Sequence, residues 1–181
     1  DLVERVEEKV EDIKRKLRRI LEEVDRRNKE VSKENKELLD RLEEENERII
    51  RELEKAKRDG TDRRKLKELI DRLRRINEDV RRKVDRTVKE LKKINKKILE
   101  ELEELVRRVK EEIKRVMDEV QDDRAREKLK RLVEDIDRVA EEVKRTLEEL
   151  SRYTDKSLED AERSLERLTK ETDEVLKRVT T

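Results

Sequence analysis

The reading of one stretch, Val6 to Leu42, decides the fold: "VEEKVEDIKRKLRRILEEVDRRNKEVSKENKELLDRL". Its apolar residues begin at Val6, Val10, Ile13, Leu17, Ile20 and Val24, at intervals of 4, 3, 4, 3 and 4. Those intervals span 18 residues and then start again at Asn28, Val31, Asn35, Leu38 and Leu42. A third round gives Asn46, Ile49, Leu53 and Ala56. Eighteen residues in five turns is about 3.6 per turn, the period of the α-helix itself. Such a stripe runs straight, where a strict heptad would wind to the left.

The pattern returns twice. It runs from Leu66 through Ile70, Leu73, Asn77, Val80 and Val84 to Val120, and from Leu129 through Leu132, Ile136, Val139, Val143 and Leu147 to Val179. Each stripe is roughly 120–140° wide, enough for one face in a small bundle and too narrow for two. Two breaks separate the three segments. In "KRDGTDRRK" (57–65), Gly60 suits the left-handed position that ends a helix, and Thr61 or Asp62 suits the cap of the next. In "EVQDDRAREK" (119–128) neither Gly nor Pro occurs, yet the stripe jumps by roughly 160° between Val120 and Leu129. A turn capped by Asp122 or Asp123 resolves that jump. The predicted helices cover 2–58, 62–120 and 123–179, each roughly 85–90 Å long. Short connections make successive helices antiparallel neighbours. The expected fold is all-α: a long, straight (untwisted, 18-residue repeat), antiparallel three-helix bundle, with residues 1–181 as a single domain.

Composition narrows function by exclusion. Charged residues are 59% of the 181 and hydrophobic ones 30%, numbers that fit either disorder or a long helical assembly. The regular apolar spacing, with a net charge of only +1, points to the assembly. Cysteine and histidine are absent, which removes thiol and imidazole catalysis and the usual zinc ligand sets. A single glycine and no proline leave no P-loop, dinucleotide fingerprint or EF-hand loop. Carboxylate runs such as "EEENE" (43–47) lie mostly off the stripe and read as solvated faces. Core Ser and Thr have no base beside them to activate a nucleophile. The expectation is therefore no catalytic residue, no cofactor-binding residue, no metal and no enzyme. Apolar runs never exceed two residues, so no transmembrane helix, signal-peptide h-region or other targeting signal is read, and a soluble chain is expected.

Charge is uneven along the chain. Arg63 to Lys97 holds 16 basic and six acidic residues, and residues 59–121 net +5 between flanking segments of −1 and −3. A basic middle helix between acidic neighbours suits ion pairing across helices. The alternative is a phosphate-binding stripe. No aromatic residue interleaves the basic ones to stack on bases, so pairing, with no nucleic acid, is the expectation.

Asparagines on the apolar stripe need a reason. Helices 1 and 2 run antiparallel, so residues at one level have a constant number sum: Asn28 with Asn95, and Asn46 with Asn77, both give 123. Helices 1 and 3 are parallel, so differences are constant: Thr154 stands to Asn28 as Thr172 stands to Asn46. The third repeat holds Val10, Ile113 and Ile136 at the same place. Ser151 and Thr169 flank the two polar layers where Val133 flanks the apolar one, and Ser32, Asn35, Thr87 and Ser157 form a looser polar level. A lone buried amide costs roughly 1–3 kcal/mol, whereas three polar groups at one level can satisfy one another. An 18-residue repeat is nearly degenerate to sliding by one repeat. Polar layers at two of three positions penalise the slipped register.

The 18-residue repeat, the Leu/Ile/Val core, the Asn/Ser/Thr layers and the Glu/Lys/Arg faces together resemble computationally designed parametric helical bundles with buried hydrogen-bond networks. The resemblance implies a soluble, very stable scaffold with no natural biochemical function, whose lone aromatic, Tyr153, serves absorbance. Spectrin-type repeats, natural long three-helix bundles, carry Trp positions and heptads that are missing here. A monomer without partners is expected. The alternative is an interaction module that self-associates as a homo-oligomer or accepts a further helix along Leu21, Leu39, Ile50, Leu99 and Met117, which widen the stripes.

Overall fold

The structure, a computed structural model, describes residues 1–180. Three helices pack together: α1 (Leu2–Arg58), α2 (Arg63–Glu119) and α3 (Asp123–Thr180), with no strand among the described residues. These ends lie within one residue of those the stripe predicts. Helix formers fill nearly every position and the single glycine stands in a turn, so nothing in the helix interiors opposes helical backbone.

The two turns stop the helices by different means. Gly60 adopts φ 66°. Thr61 N–H donates to Ala56 O at 2.9 Å and Gly60 N–H to Lys57 O at 3.2 Å, the paired closure that satisfies the last carbonyls of a helix. Asp62, not Thr61, caps α2: its Oδ1 accepts from Arg64 N–H at 3.4 Å. The second turn contains no left-handed residue. There Asp122 is the cap, with Oδ1 accepting from Arg124 N–H at 3.2 Å and its carbonyl from Arg126 N–H at 3.0 Å. Arg126 Nε reaches back to Met117 O at 3.3 Å and occupies a carbonyl that α2 leaves open.

Contacts divide the chain into two units. One comprises Asp1–Asn28 with Leu91–Tyr153, the other Lys29–Glu90 with the residues from Thr154 onward. In the first unit a single apolar cluster runs from Val3 to Val24 on α1, Leu102 to Val116 on α2 and Leu129 to Leu150 on α3. Val10, Leu17, Ile113, Leu129 and Ile136 in it are fully buried, at 0% exposure. In the second unit the core falls into three smaller clusters, around Leu53 and Leu73, around Leu42 and Leu165, and around Val84 and Ala161. Helix directions follow from ion pairs inside each unit. In the first, Lys9 pairs with Glu112 and Lys14 with Asp135. In the second, Glu45 pairs with Arg72, Glu43 with Arg167 and Glu54 with Arg178. In the first unit, the Lys9–Glu112 ion pair and the Asn28–Asn95 hydrogen bond descend along α2 as α1 is climbed, so α2 runs against α1; in the second, Glu43 with Arg167 and Glu54 with Arg178 ascend along α3, which runs with α1.

Pairing across helices takes up little of the basic charge of α2 between Arg63 and Lys89. Of the basic residues from Arg63 to Lys89, only Arg72 makes an ion pair with another helix among the described residues, at 3.7 Å to Glu45. Arg82 pairs with Glu78 of its own helix at 3.5 Å, and all of these basic residues but half-buried Arg81 are exposed. Within Arg63–Lys89, part of the Arg63–Lys97 segment expected to serve pairing across helices, Arg72 alone does so among the described residues.

Candidate functional site: the buried polar layers

In the first unit the apolar stripes of α1 and α2 bring Asn28 and Asn95 face to face. Asn28 Nδ2 donates to Asn95 Oδ1 at 3.2 Å, and Asn95 Nδ2 donates to Asn28 Oδ1 at 3.2 Å. Asn28 Nδ2 spends its second hydrogen on Val24 O, one turn back, at 2.7 Å. Both asparagines are buried. A closed two-way amide pair satisfies a donor and an acceptor on each side at once, the arrangement that makes burial of an amide tolerable. A groove of about 690 Å³ between α1 and α2 runs past the pair, lined by Val24, Leu91, Ile94 and Ile98 among others.

In the second unit Asn46 and Asn77 meet, but the bonds form an open chain. Asn46 Nδ2 donates to Leu42 O at 2.8 Å and to Asn77 Oδ1 at 2.7 Å. Asn77 Nδ2 turns instead to Thr172 Oγ1 at 3.5 Å, and Thr172 Oγ1 donates to Leu168 O at 2.8 Å. Asn46 Oδ1 is left buried with no partner. The network therefore joins all three helices and leaves one acceptor unmet. A groove of about 400 Å³ between α2 and α3 opens beside Asn77, Thr172 and Thr169.

The looser level is only partly assembled. Ser32 and Ser157, both half-buried, share a hydroxyl hydrogen bond at 3.2 Å between α1 and α3. Asn35 is buried without a side-chain partner among the described residues, yet neither of its amide atoms is fully enclosed. Thr154 is buried, and Ser151 is half-buried. Two assignments need correction. Thr169 is exposed and donates to Leu165 O of its own helix at 2.8 Å. Thr87 is half-buried and donates to Lys83 O at 2.7 Å. Both lie at a stripe edge, where the carbonyl one turn back satisfies a threonine hydroxyl without a neighbouring helix. The same back-bonding serves Asn28 and Asn46, and no spacing in the sequence signals it.

Among the described residues no group of His, Cys, Asp or Glu could hold a metal ion, and no helix is long and apolar enough to cross a membrane. The one well-marked electrostatic feature is exposed. On α2, Arg107 hydrogen-bonds Glu104 at 2.6 Å and holds its carboxyl below the usual range, with Arg108 adding to the effect. Leu21, Leu99 and Met117 pack against the first unit's cluster, and Leu39 and Ile50 against those of the second. The widened stripes are thus partly consumed inside the bundle. The exposed large apolar residues are Leu2 and Tyr153.

Neither a protein family nor a curated protein matches the sequence. Among solved structures the chain is similar to a computationally designed three-helix bundle, with 21% identity and a TM-score of 0.53 over 99% of this chain and 84% of that one. Three helices, cores of Leu, Ile and Val, and buried Asn/Thr hydrogen bonds are what this chain presents, and the likeness establishes a shared fold: the all-α three-helix bundle.

Proposed function

We propose that this protein is a designed structural scaffold with no natural biochemical activity and no catalytic role, whose Asn/Ser/Thr layers set helix register and specificity. The observation that carries the reading is the reciprocal Asn28–Asn95 amide pair, buried between two helices whose repeat would otherwise tolerate sliding. A slide of one repeat sets an asparagine against Val10 or Ile113, each 0% exposed, and leaves its amide without partners. The same reading has residues 1–181 fold as one cooperative domain and stay monomeric, because the partly buried apolar residues already pack inward.

The test is to make both layers copy their apolar sister: Asn28→Val, Asn95→Ile and Thr154→Ile with Asn46→Val, Asn77→Ile and Thr172→Ile. Helix content is expected to hold, and stability to match or exceed the parent, since buried polar groups seldom beat well-packed apolar ones. Uniqueness is expected to fail. Sedimentation equilibrium should show mixed species where the parent shows one of 22.2 kDa, and amide NMR signals should broaden or double. A layer-free variant that remains one species with a single sharp set of signals removes the register role.

A further inference from the structure

We propose that the exposed basic face of α2 between Arg63 and Lys89 binds the phosphate backbone of duplex nucleic acid, independently of base sequence. This segment carries twelve basic and five acidic residues, eight of the basic ones arginine. Eleven of the twelve are exposed. Apart from Arg72 with Glu45 and Arg82 with Glu78, none has an ion-pair partner among the described residues. The charge is therefore available to something outside the chain. The acidic residues interleaved with it reduce the net to +7, so the attraction is moderate and easily screened.

The surrounding chemistry selects the partner. An anionic membrane surface calls for apolar side chains to insert beside the basic ones. The exposed large apolar residues are Leu2 and Tyr153, neither of them on α2. Single strands are held largely by stacking on aromatic rings, and the lone aromatic of the chain is Tyr153. A duplex backbone asks only for cations along a line. Arginine is the better of the two cations for it, because its planar fork meets two phosphate oxygens at once. The segment, at 1.5 Å per residue, spans about 40 Å, close to one turn of duplex at about 34–36 Å. Arg64, Arg75, Arg82 and Arg86 fall within a narrow arc of the solvent side and form the central row.

Fluorescence anisotropy of a labelled 20-base-pair duplex tests this, with salt raised from roughly 30 to 300 mM. The parent is expected to bind at the low end, with log K falling linearly against log salt. Replacing the four row arginines by glutamine should weaken binding by tenfold or more and flatten that slope by about three to four, close to one per cation removed. A second variant takes the same charge from α3: Arg124→Gln, Lys128→Gln, Lys130→Gln and Arg131→Gln. It should change affinity less than threefold. The proposal is overturned by no binding at about 30 mM salt, by equal losses in the two variants, or by tighter binding to phosphatidylserine vesicles than to the duplex. The polar layers are untouched in both variants, so the scaffold reading is unaffected by any of these outcomes.

Discussion

The two units carry the same Asn–Asn motif and treat it differently. In the first, Asn28 and Asn95 close a two-way pair beside one unbroken apolar cluster that contains Val10, Ile113 and Ile136. In the second, Asn46 and Asn77 meet once, Asn77 turns to Thr172, and the core falls into a cluster around Leu53 and another around Leu42, with partly buried Ile76 packed against both. Identical residues at equivalent places in an 18-residue repeat thus give a closed network in one unit and an open one in the other. The repeat sets which side chains meet. How the amides turn when they meet depends on tenths of an ångström of helix approach and on what else competes for each hydrogen.

The largest expected effect lies in the closed pair. Asn28→Leu strands both polar ends of Asn95 and should cost about 1–3 kcal/mol in urea unfolding. Asn46→Leu strands Asn77 Oδ1 but also removes the unmet Asn46 Oδ1, so its cost should be smaller. A double-mutant cycle between positions 28 and 95 should give a coupling above about 0.5 kcal/mol, the limit of additivity for independent sites. Additive effects there, or a larger loss at Asn46 than at Asn28, would undo the contrast between closed and open layers.

Local opening should follow the cores. Amide hydrogen exchange in native buffer should show higher opening free energies around Ile113 and Ile136 than around Asn46 and Asn77. The former sit in a continuous cluster, and the latter between separated ones. A gap of about 1 kcal/mol is expected, of the order of one unmade hydrogen bond. Equal protection in both places would mean that the division of the second core into clusters does not lower its local stability.

The smallest effect concerns charge. Glu104 is held below the usual carboxylate range by its hydrogen bond to Arg107. Its folded-state affinity for a proton is therefore lower than in the unfolded chain. The stabilisation is present above the ordinary carboxylate value and is lost as pH falls through the lowered one. Glu104→Gln should accordingly leave a slightly smaller drop in Tm between pH 5 and pH 2 than the parent shows. Because the group is exposed, the difference should be slight, and a variant that melts identically across that range would show the pair contributes nothing.

Much of this was legible in the residues. The apolar period in Val6 to Leu42 specifies helical stripes, Gly60 marks one turn, and the phase jump between Val120 and Leu129 marks the other without any turn residue. The constant sum of 123 pairs Asn28 with Asn95 and Asn46 with Asn77, and the structure brings those pairs into hydrogen-bonding distance. Stripe edges were harder to read. Thr87 and Thr169 occupy the right turns of their helices, yet each bonds its own helix. A threonine at a stripe edge has a carbonyl within reach one turn back, and a 100° step cannot say on which side of the boundary the hydroxyl settles.

What the sequence by itself determined is the periodic part: three helices, their turns and the pairing of Asn28 with Asn95 and of Asn46 with Asn77. These follow from local backbone geometry and from side-chain spacing along one helix. Tertiary structure alone decided the directional part: which amide hydrogen Asn77 gives to Thr172, why Asn46 Oδ1 finds no donor, and that between Arg63 and Lys89 only Arg72 reaches an acidic partner on another helix among the described residues. Hydrophobic burial is non-directional and survives small shifts, so a pattern suffices to predict it. Hydrogen bonds and ion pairs fail over a few tenths of an ångström or a few tens of degrees, and only the packed helices set those.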